Sequence, residues 1–316
     1  MNAELLLPTT RAAALESRRE DRRWLVEGLW SERACGIVGG EPKCGKSFLA
    51  LEIAVAVAAG TPALGHFAVP TPGPVLLYAA EDDLVTVRER LESITRARGV
   101  SLDTLDLHVI TAPAVRLDHD VDRKRLARTA AALHARLLVL DPLVRLHRID
   151  ENAVSEIAPI LAYLRAIERK LQTSVLLVHH ARKAAGHVRA GQALRGSSEL
   201  HAWGDSNLYL RRKHRALILS AEHRAAPAPD DLFLEIDPTP GQTALRICAP
   251  PSDNPETLQA DPRERIECVL RDTDCPLSLR HLRELCRIRT STLSHTLEQM
   301  VRDGIVTRSA DGFALA

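Results

Sequence analysis

Gly40-Glu-Pro-Lys-Cys-Gly45-Lys46-Ser47 is the stretch from which the fold is read. It has the form G-x-x-x-x-G-K-S, a loop whose glycines let backbone N–H groups curl around a phosphate. The apolar run Ala34–Val38 leads in as a strand. FLALEIAVAVAAG leads out as a helix, whose positive N-terminal end faces the same anion. Gly40, Pro42, Lys43, Cys44, Gly45, Lys46, Ser47 and Phe48 are therefore expected to cradle the phosphates of ATP. Lys46 would reach the β- and γ-phosphates, and the Ser47 hydroxyl would ligate Mg²⁺. Cys44 lies inside the loop, where a bulky thiol reagent is expected to crowd the nucleotide.

Three more apolar runs end in polar residues. Leu137–Asp141 closes on a carboxylate about ninety residues beyond the loop, so Asp141 is expected to hold Mg²⁺ through water. Val75–Ala80 runs into Glu81-Asp82-Asp83. A carboxylate there can polarise the attacking water, and Glu81, nearer the strand end, is favoured over Asp82 as the base. Asp82 or Asp83 would cap the next helix. Ser174–His180 ends in the pair His179-His180, at the edge of a parallel sheet where ligands bind.

These strands, with Leu107–Thr111, alternate with helically spaced segments at Gly45–Ala59, Leu84–Arg98, Asp122–His134 and Glu151–Leu171. Such alternation predicts an α/β fold with a mainly parallel sheet covered by helices on both faces. Asn207–Lys213, Arg215–Glu222, Asp231–Asp237 and Ala244–Cys248 read as an antiparallel extension on the sheet edge. The expected organisation is an arm over 1–21, the nucleotide-binding domain over 22–248, a linker over 249–262 and a small second domain over 263–316. The linker reading rests on its four prolines.

Composition narrows the function classes. The chain has 316 residues, 45% hydrophobic and 26% charged, enough for two globular domains. Its 42 basic and 41 acidic side chains leave a net charge of +1, so any nucleic-acid affinity must come from local patches. Six scattered cysteines without a C-x-x-C pair argue for free thiols in a reducing compartment. MNAELLLPTT has too short an apolar run and no basic leader for a signal peptide, and no stretch is long enough to span a membrane. A cytoplasmic protein is expected.

Together the four strand tips resemble the RecA-like core of hexameric replicative helicases, above all the plasmid RepA-type ATPases. The likeness covers about residues 22–248. It is carried also by Trp24-Leu-Val-Glu-Gly-Leu and by Arg195-Gly-Ser-Ser-Glu-Leu-His-Ala-Trp-Gly-Asp205-Ser-Asn-Leu-Tyr-Leu-Arg. The resemblance implies a RecA-like P-loop core, Glu81 as base, and His180 as γ-phosphate sensor. It also implies a homo-oligomer, hexameric by preference, in which a neighbour's arginine completes the site. Arg224 is the best match, with Arg211, Arg212 and Lys213 as rivals. It further implies two loops in a central channel holding single- or double-stranded DNA. One is Arg145-Leu-His147-Arg148; the other carries Arg182, Lys183, Arg189 and Arg195. The second is basic without acids, as a loop gripping a phosphate backbone would be.

Residues 263–316 read as a winged helix. Helices are expected from about Ile266, over Leu277–Ile288 and over Thr290–Asp303, followed by a hairpin around Asp311-Gly312. Thr290, Ser291, Ser294 and His295 would face out, and Leu293, Leu297 and Met300 inward. Nine arginines against eight acids make this a weakly charged surface, which suits a protein contact as well as DNA. Two functions are thus open: an ATP-driven helicase or translocase, or an ATP-gated regulator whose winged helix selects DNA or protein without unwinding.

Overall fold

The computed structural model describes residues 9–14, 23–151, 153–180, 198–213, 216–237, 239, 241–250, 261–271, 273, 276–286, 290–309 and 312–315. The chain divides into two compact units, Met1–Pro250 and Pro251–Ala316.

In the first unit, β1 (Trp24–Val26) and β2 (Trp30–Ser31) form a small antiparallel ribbon. The main sheet contains β3 (Cys35–Gly40), β4 (Val75–Ala79), β5 (Leu107–Val109), β6 (Leu137–Asp141) and β7 (Ser174–His180). It continues through β8 (Ser206–Lys213), β9 (Ala216–His223), β10 (Leu232–Asp237) and β11 (Ala244–Cys248). Among the described residues the order is β11-β10-β9-β8-β3-β7-β6-β4-β5. From β8 to β5 every neighbour is parallel; from β8 to β11 every neighbour is antiparallel. The crossover helices are α1 (Lys46–Ala59), α2 (Leu84–Ala97), α3 (Asp120–Ala132), α4 (Val154–Leu171) and α5 (Ser198–Trp203).

The expected antiparallel extension therefore begins one strand later. Asn207–Lys213 falls in β8, which joins the parallel set, because the connection carrying α5 returns the chain to the end of the sheet where β3 starts. Two polar side chains stitch that joint. Asp205 Oδ2 accepts from Cys35 N at 3.0 Å, and Asn207 Oδ1 accepts from Ile37 N at 3.1 Å.

α1 is apolar nearly all round because it is covered on all sides. The sheet lies under it, and α2 with the β10–β11 hairpin lies over it: Arg96 Nη1 donates to Gly241 O at 2.7 Å and Thr243 N to Ser93 Oγ at 2.8 Å. Leu49, Ile53, Val55 and Val57 are buried in that layer. Glu52 is buried there too, paired with Arg98 and accepting from Leu64 N at 3.0 Å, which is what a carboxylate needs away from water. The opposite face of the sheet packs Leu138, Leu140 and Leu177 against Leu126 of α3 and Ile160, Leu161 and Leu164 of α4. No described helix is long and apolar enough to cross a membrane.

The second unit contains α6 (Pro262–Arg271), α7 (Leu279–Cys286), α8 (Thr290–Arg302) and the antiparallel hairpin β12 (Val306–Ser309)–β13 (Gly312–Leu315). Its core is Ile266, Leu270, Leu282, Leu293, Leu297, Met300 and Val306. On α8, Thr290, Ser291 and His295 are exposed and Ser294 is half-buried.

Candidate functional site

The loop 40–47 leaves β3 and turns directly into α1. Its geometry depends on glycine at both ends. Gly45 takes φ 92°, and Gly40 takes φ 155° with an added Cβ only 2.1 Å from Leu210 O. Lys43 also has positive φ, 61°, a strained conformation of the kind retained where backbone shape serves a site. Lys46 folds back over the loop, and its Nζ donates to Glu41 O at 2.6 Å.

Sheet register brings the other residues alongside. Gly40 sits opposite His180 across β3 and β7, and Ala79 opposite Asp141 across β4 and β6. All four tips lie at the carboxyl edge, around a cavity of about 690 Å³. Pro42, Lys43, Gly45, Lys46, Ser47 and Phe48 line it from the loop and α1, facing Glu81, Asp82, Asp141 and His180 from the strand ends.

Charge in this cavity is crowded. Burial, the Ser47 hydroxyl contact, and the neighbouring Asp82, Glu81 and Lys46 together set Asp141; burial dominates and pushes its carboxyl up to about 6. Burial lowers the Lys46 ammonium, and the Asp141 and Glu81 carboxylates partly oppose that. His180 is held below its ordinary value by burial and by Lys46, against the pull of Glu81. Its Nε2 lies 3.7 Å from Glu81 Oε2, while Arg145 Nε donates to Glu81 Oε1 at 3.1 Å. Asp82 is committed to Arg90 of α2, and Asp83 caps α2 by accepting from Thr86 N at 2.7 Å.

Two of the residues expected to cradle the phosphates do not face the cavity with their side chains. Gly40 has none, and the buried Cys44 thiol turns toward β8, donating to Leu210 O at 3.4 Å. Its pKa is raised by burial, so the expectation that a thiol reagent there crowds the nucleotide gives way to a shielded, sluggish thiol. His147, expected in an open channel loop, is instead buried at 6% exposure; Arg145 and Arg148 of the same segment are exposed. Arg224 is away from the cavity of its own chain. It is exposed, bonds Ala202 O, and lies 3.3 Å from Asp205 Oδ1. Arg182, Lys183, Arg189 and Arg195 lie outside the described residues.

Sequence reading missed three cavity residues: Arg90, Ile236 and Thr243. Arg90 left a faint signal, a cation two turns into a helix that starts at the site. Ile236 and Thr243 left none, since only long-range folding of the β10–β11 hairpin over α2 brings them there.

The description "AAA domain" matches residues 2–186, more than half of the 316-residue chain. The chain belongs to the AAA-domain family. Among solved structures this AAA protein is similar to a DnaB-like replicative helicase described with its interactions with primase. The two are 15% identical over 67% of this chain and 57% of that one, at a TM-score of 0.51. The RadB recombinase is 17% identical over 71% of this chain and 93% of its own (TM-score 0.49). A KaiC-like protein from Pyrococcus horikoshii OT3 is 14% identical over 71% and 94% (TM-score 0.47). At 15% identity the helicase match speaks for fold, and this AAA protein spans just over half of that chain's length. With its phosphate loop and family membership, this AAA protein is a P-loop ATPase, and its sheet has the RecA-like fold.

Proposed function

We propose that this ATPase hydrolyses ATP with Mg²⁺ in a homo-oligomeric ring that acts on DNA, as a RepA-type replicative helicase or translocase. The observation that carries the reading is the convergence of Lys46, Ser47, Glu81, Asp141 and His180 on one cavity. Lys46 would neutralise the β- and γ-phosphates, Glu81 would accept the proton of the attacking water, and His180 would hydrogen-bond the terminal phosphate. Ser47 and Asp141 would hold Mg²⁺, which when bound would offset the charge that develops on the phosphate.

The donor set fits such a cation. Glu81 and Asp82 raise an already buried Asp141, which touches the Ser47 hydroxyl, so a positive charge is wanted between them. No three His, Cys, Asp or Glu side chains among the described residues form a self-sufficient metal cage. That suits Mg²⁺, which prefers a few protein oxygens together with water and phosphate. Arg224, exposed and remote from its own cavity, would complete a neighbour's site, while Arg148, Arg182, Lys183, Arg189 and Arg195 would track the nucleic-acid backbone.

The second reading, an ATP-gated regulator, draws support from the C-terminal unit, read as a winged helix. Its groove of about 520 Å³ between α8 and the hairpin mixes Glu298 with Arg302, Arg308 and Phe313, a surface equally suited to protein. Strand displacement by pure full-length protein separates the two readings. ATP-dependent unwinding together with nucleotide-dependent assembly in sedimentation supports the helicase. Assembly and DNA retention without unwinding supports the regulator.

A further inference from the structure

β7 ends in two histidines, and strand alternation sends their side chains to opposite faces. His180 lines the phosphate cavity, on the α1 side with Leu176 and Val178. His179 shares the α4 side with Val175 and Leu177, and is buried at 5% exposure. There Nδ1 of His179 lies 3.7 Å from Oε2 of Glu151, at the turn that leads into α4. The other Glu151 oxygen lies 3.2 Å from Nε2 of His147, on the segment that follows β6. One carboxylate thus stands between two buried imidazoles, and ties the end of the sensor strand to the segment after the strand that carries Asp141.

The three groups feel one another: burial holds the His179 imidazole below its ordinary value, and Glu151 partly opposes that. Burial works to raise the Glu151 carboxyl, yet contact with His147 and the nearby His179 hold it below its ordinary value. Neither nitrogen of His147 has a well-aligned hydrogen-bond partner among the described residues. A fold rarely leaves an imidazole buried in that condition without a use for it. A purely structural core would fill the same volume with an aliphatic side chain, as Leu177 and Val175 do two and four residues back along the same face.

We propose that Glu151 is a positioning residue: by holding His179 on the rear face of β7, it fixes the strand end from which His180 approaches the terminal phosphate. The proposal rests on the reading above that His180 is the γ-phosphate sensor. Glu151 acts only through that residue. Its loss therefore shows in turnover and not in nucleotide capture, which belongs to Lys46 and Ser47 on the other face of the sheet.

The test is a double-mutant cycle on ATP turnover by the full chain, with Glu151→Gln and His180→Ala singly and together. Glu151→Gln is expected to lower kcat by about 10²-fold, the loss that follows a misplacement of roughly 1 Å, with KM for ATP within about twofold. In the His180→Ala background it should cost almost nothing further, because its route is already cut. Glu151→Asp, which keeps the charge, should recover part of the rate. His179→Gln cuts the same link from the strand side and should show the same non-additivity, which keeps the test open if Glu151→Gln does not fold. An unchanged kcat in Glu151→Gln, or an equal fold-loss with and without His180, overturns the role of Glu151 and leaves the sensor standing. Full turnover by His180→Ala overturns the sensor reading and this proposal with it.

Discussion

Replacing Asp141 by Asn should make the nucleotide-free protein more stable at pH 8 while destroying its activity. Burial raises the Asp141 carboxyl from 3.8 to about 6, and in the unfolded chain it returns to 3.8. A folded-state pKa above the unfolded one means that the native state holds the proton longer. The stability this contributes is complete below 3.8 and is lost as pH rises through about 6. The whole gap is worth about 3 kcal/mol, and the part between pH 5 and pH 8 about 1.4 kcal/mol. Asn cannot ionise but keeps an oxygen for the Ser47 hydroxyl. The advantage of Asp141→Asn over the parent should therefore grow by about 1.4 kcal/mol from pH 5 to pH 8, or roughly 3–5 °C in the transition of the larger unit. Thermal and urea unfolding at both pH values, without nucleotide or Mg²⁺, measure it. A variant less stable than the parent at pH 8, or an advantage that does not change with pH, would refute the argument that this carboxylate is confined at a cost to the fold.

Glu81→Gln should bind ATP and hydrolyse it about 10²–10⁴-fold more slowly, and Asp82→Asn, which loosens Arg90 and removes one charge near Asp141, should lose far less; the reverse ranking in steady-state assays assigns the base to Asp82. Arg224→Ala should change stability by less than about 1 kcal/mol, since the Arg224 side chain is itself exposed, yet lower turnover by about 10³–10⁵-fold. Mixing it with Lys46→Ala chains should restore some rate, and no restoration at any ratio counts against a shared site. Cys44 should react with iodoacetamide much more slowly than the exposed Cys268, with or without ATP. Peptide mapping that finds Cys44 labelled first contradicts the burial of its thiol.

Much of the fold was legible because apolar strands that end in a charged or polar residue carry two messages at once. Leu137–Asp141 and Ser174–His180 occur as strands with the expected bounds, since a strand buried on both faces reads as an unbroken apolar run. The Asn207–Lys213 segment was harder. Its pattern is that of a half-buried strand, and nothing local says whether its neighbour runs parallel or antiparallel. The answer lies in the connection through α5 and in the hydrogen bonds of Asp205 and Asn207 to β3.

In the cavity, the residues the sequence marked out at the loop and strand tips lie together because a parallel sheet forces its carboxyl ends onto one edge. Arg90, Ile236 and Thr243 escaped notice because helix packing and hairpin folding, not strand order, deliver them. His147 was misjudged for a related reason. Flanked by Arg145 and Arg148 it reads as part of a solvated basic segment, yet its ring is the one turned inward, against Glu151.

The central claim is that the Gly40–Ser47 loop serves ATP hydrolysis, and Lys46→Ala tests it most directly. Lys46 reaches back across the loop's own turn to Glu41 O, and lines the cavity shared with Asp141 and His180. Full-length Lys46→Ala, folded by circular dichroism and with the thermal midpoint of the parent or higher, is assayed for phosphate release from ATP with Mg²⁺, with and without single-stranded DNA. Release at background level in both conditions, with weakened nucleotide binding, is the result the account predicts. Turnover equal to the parent's would contradict it.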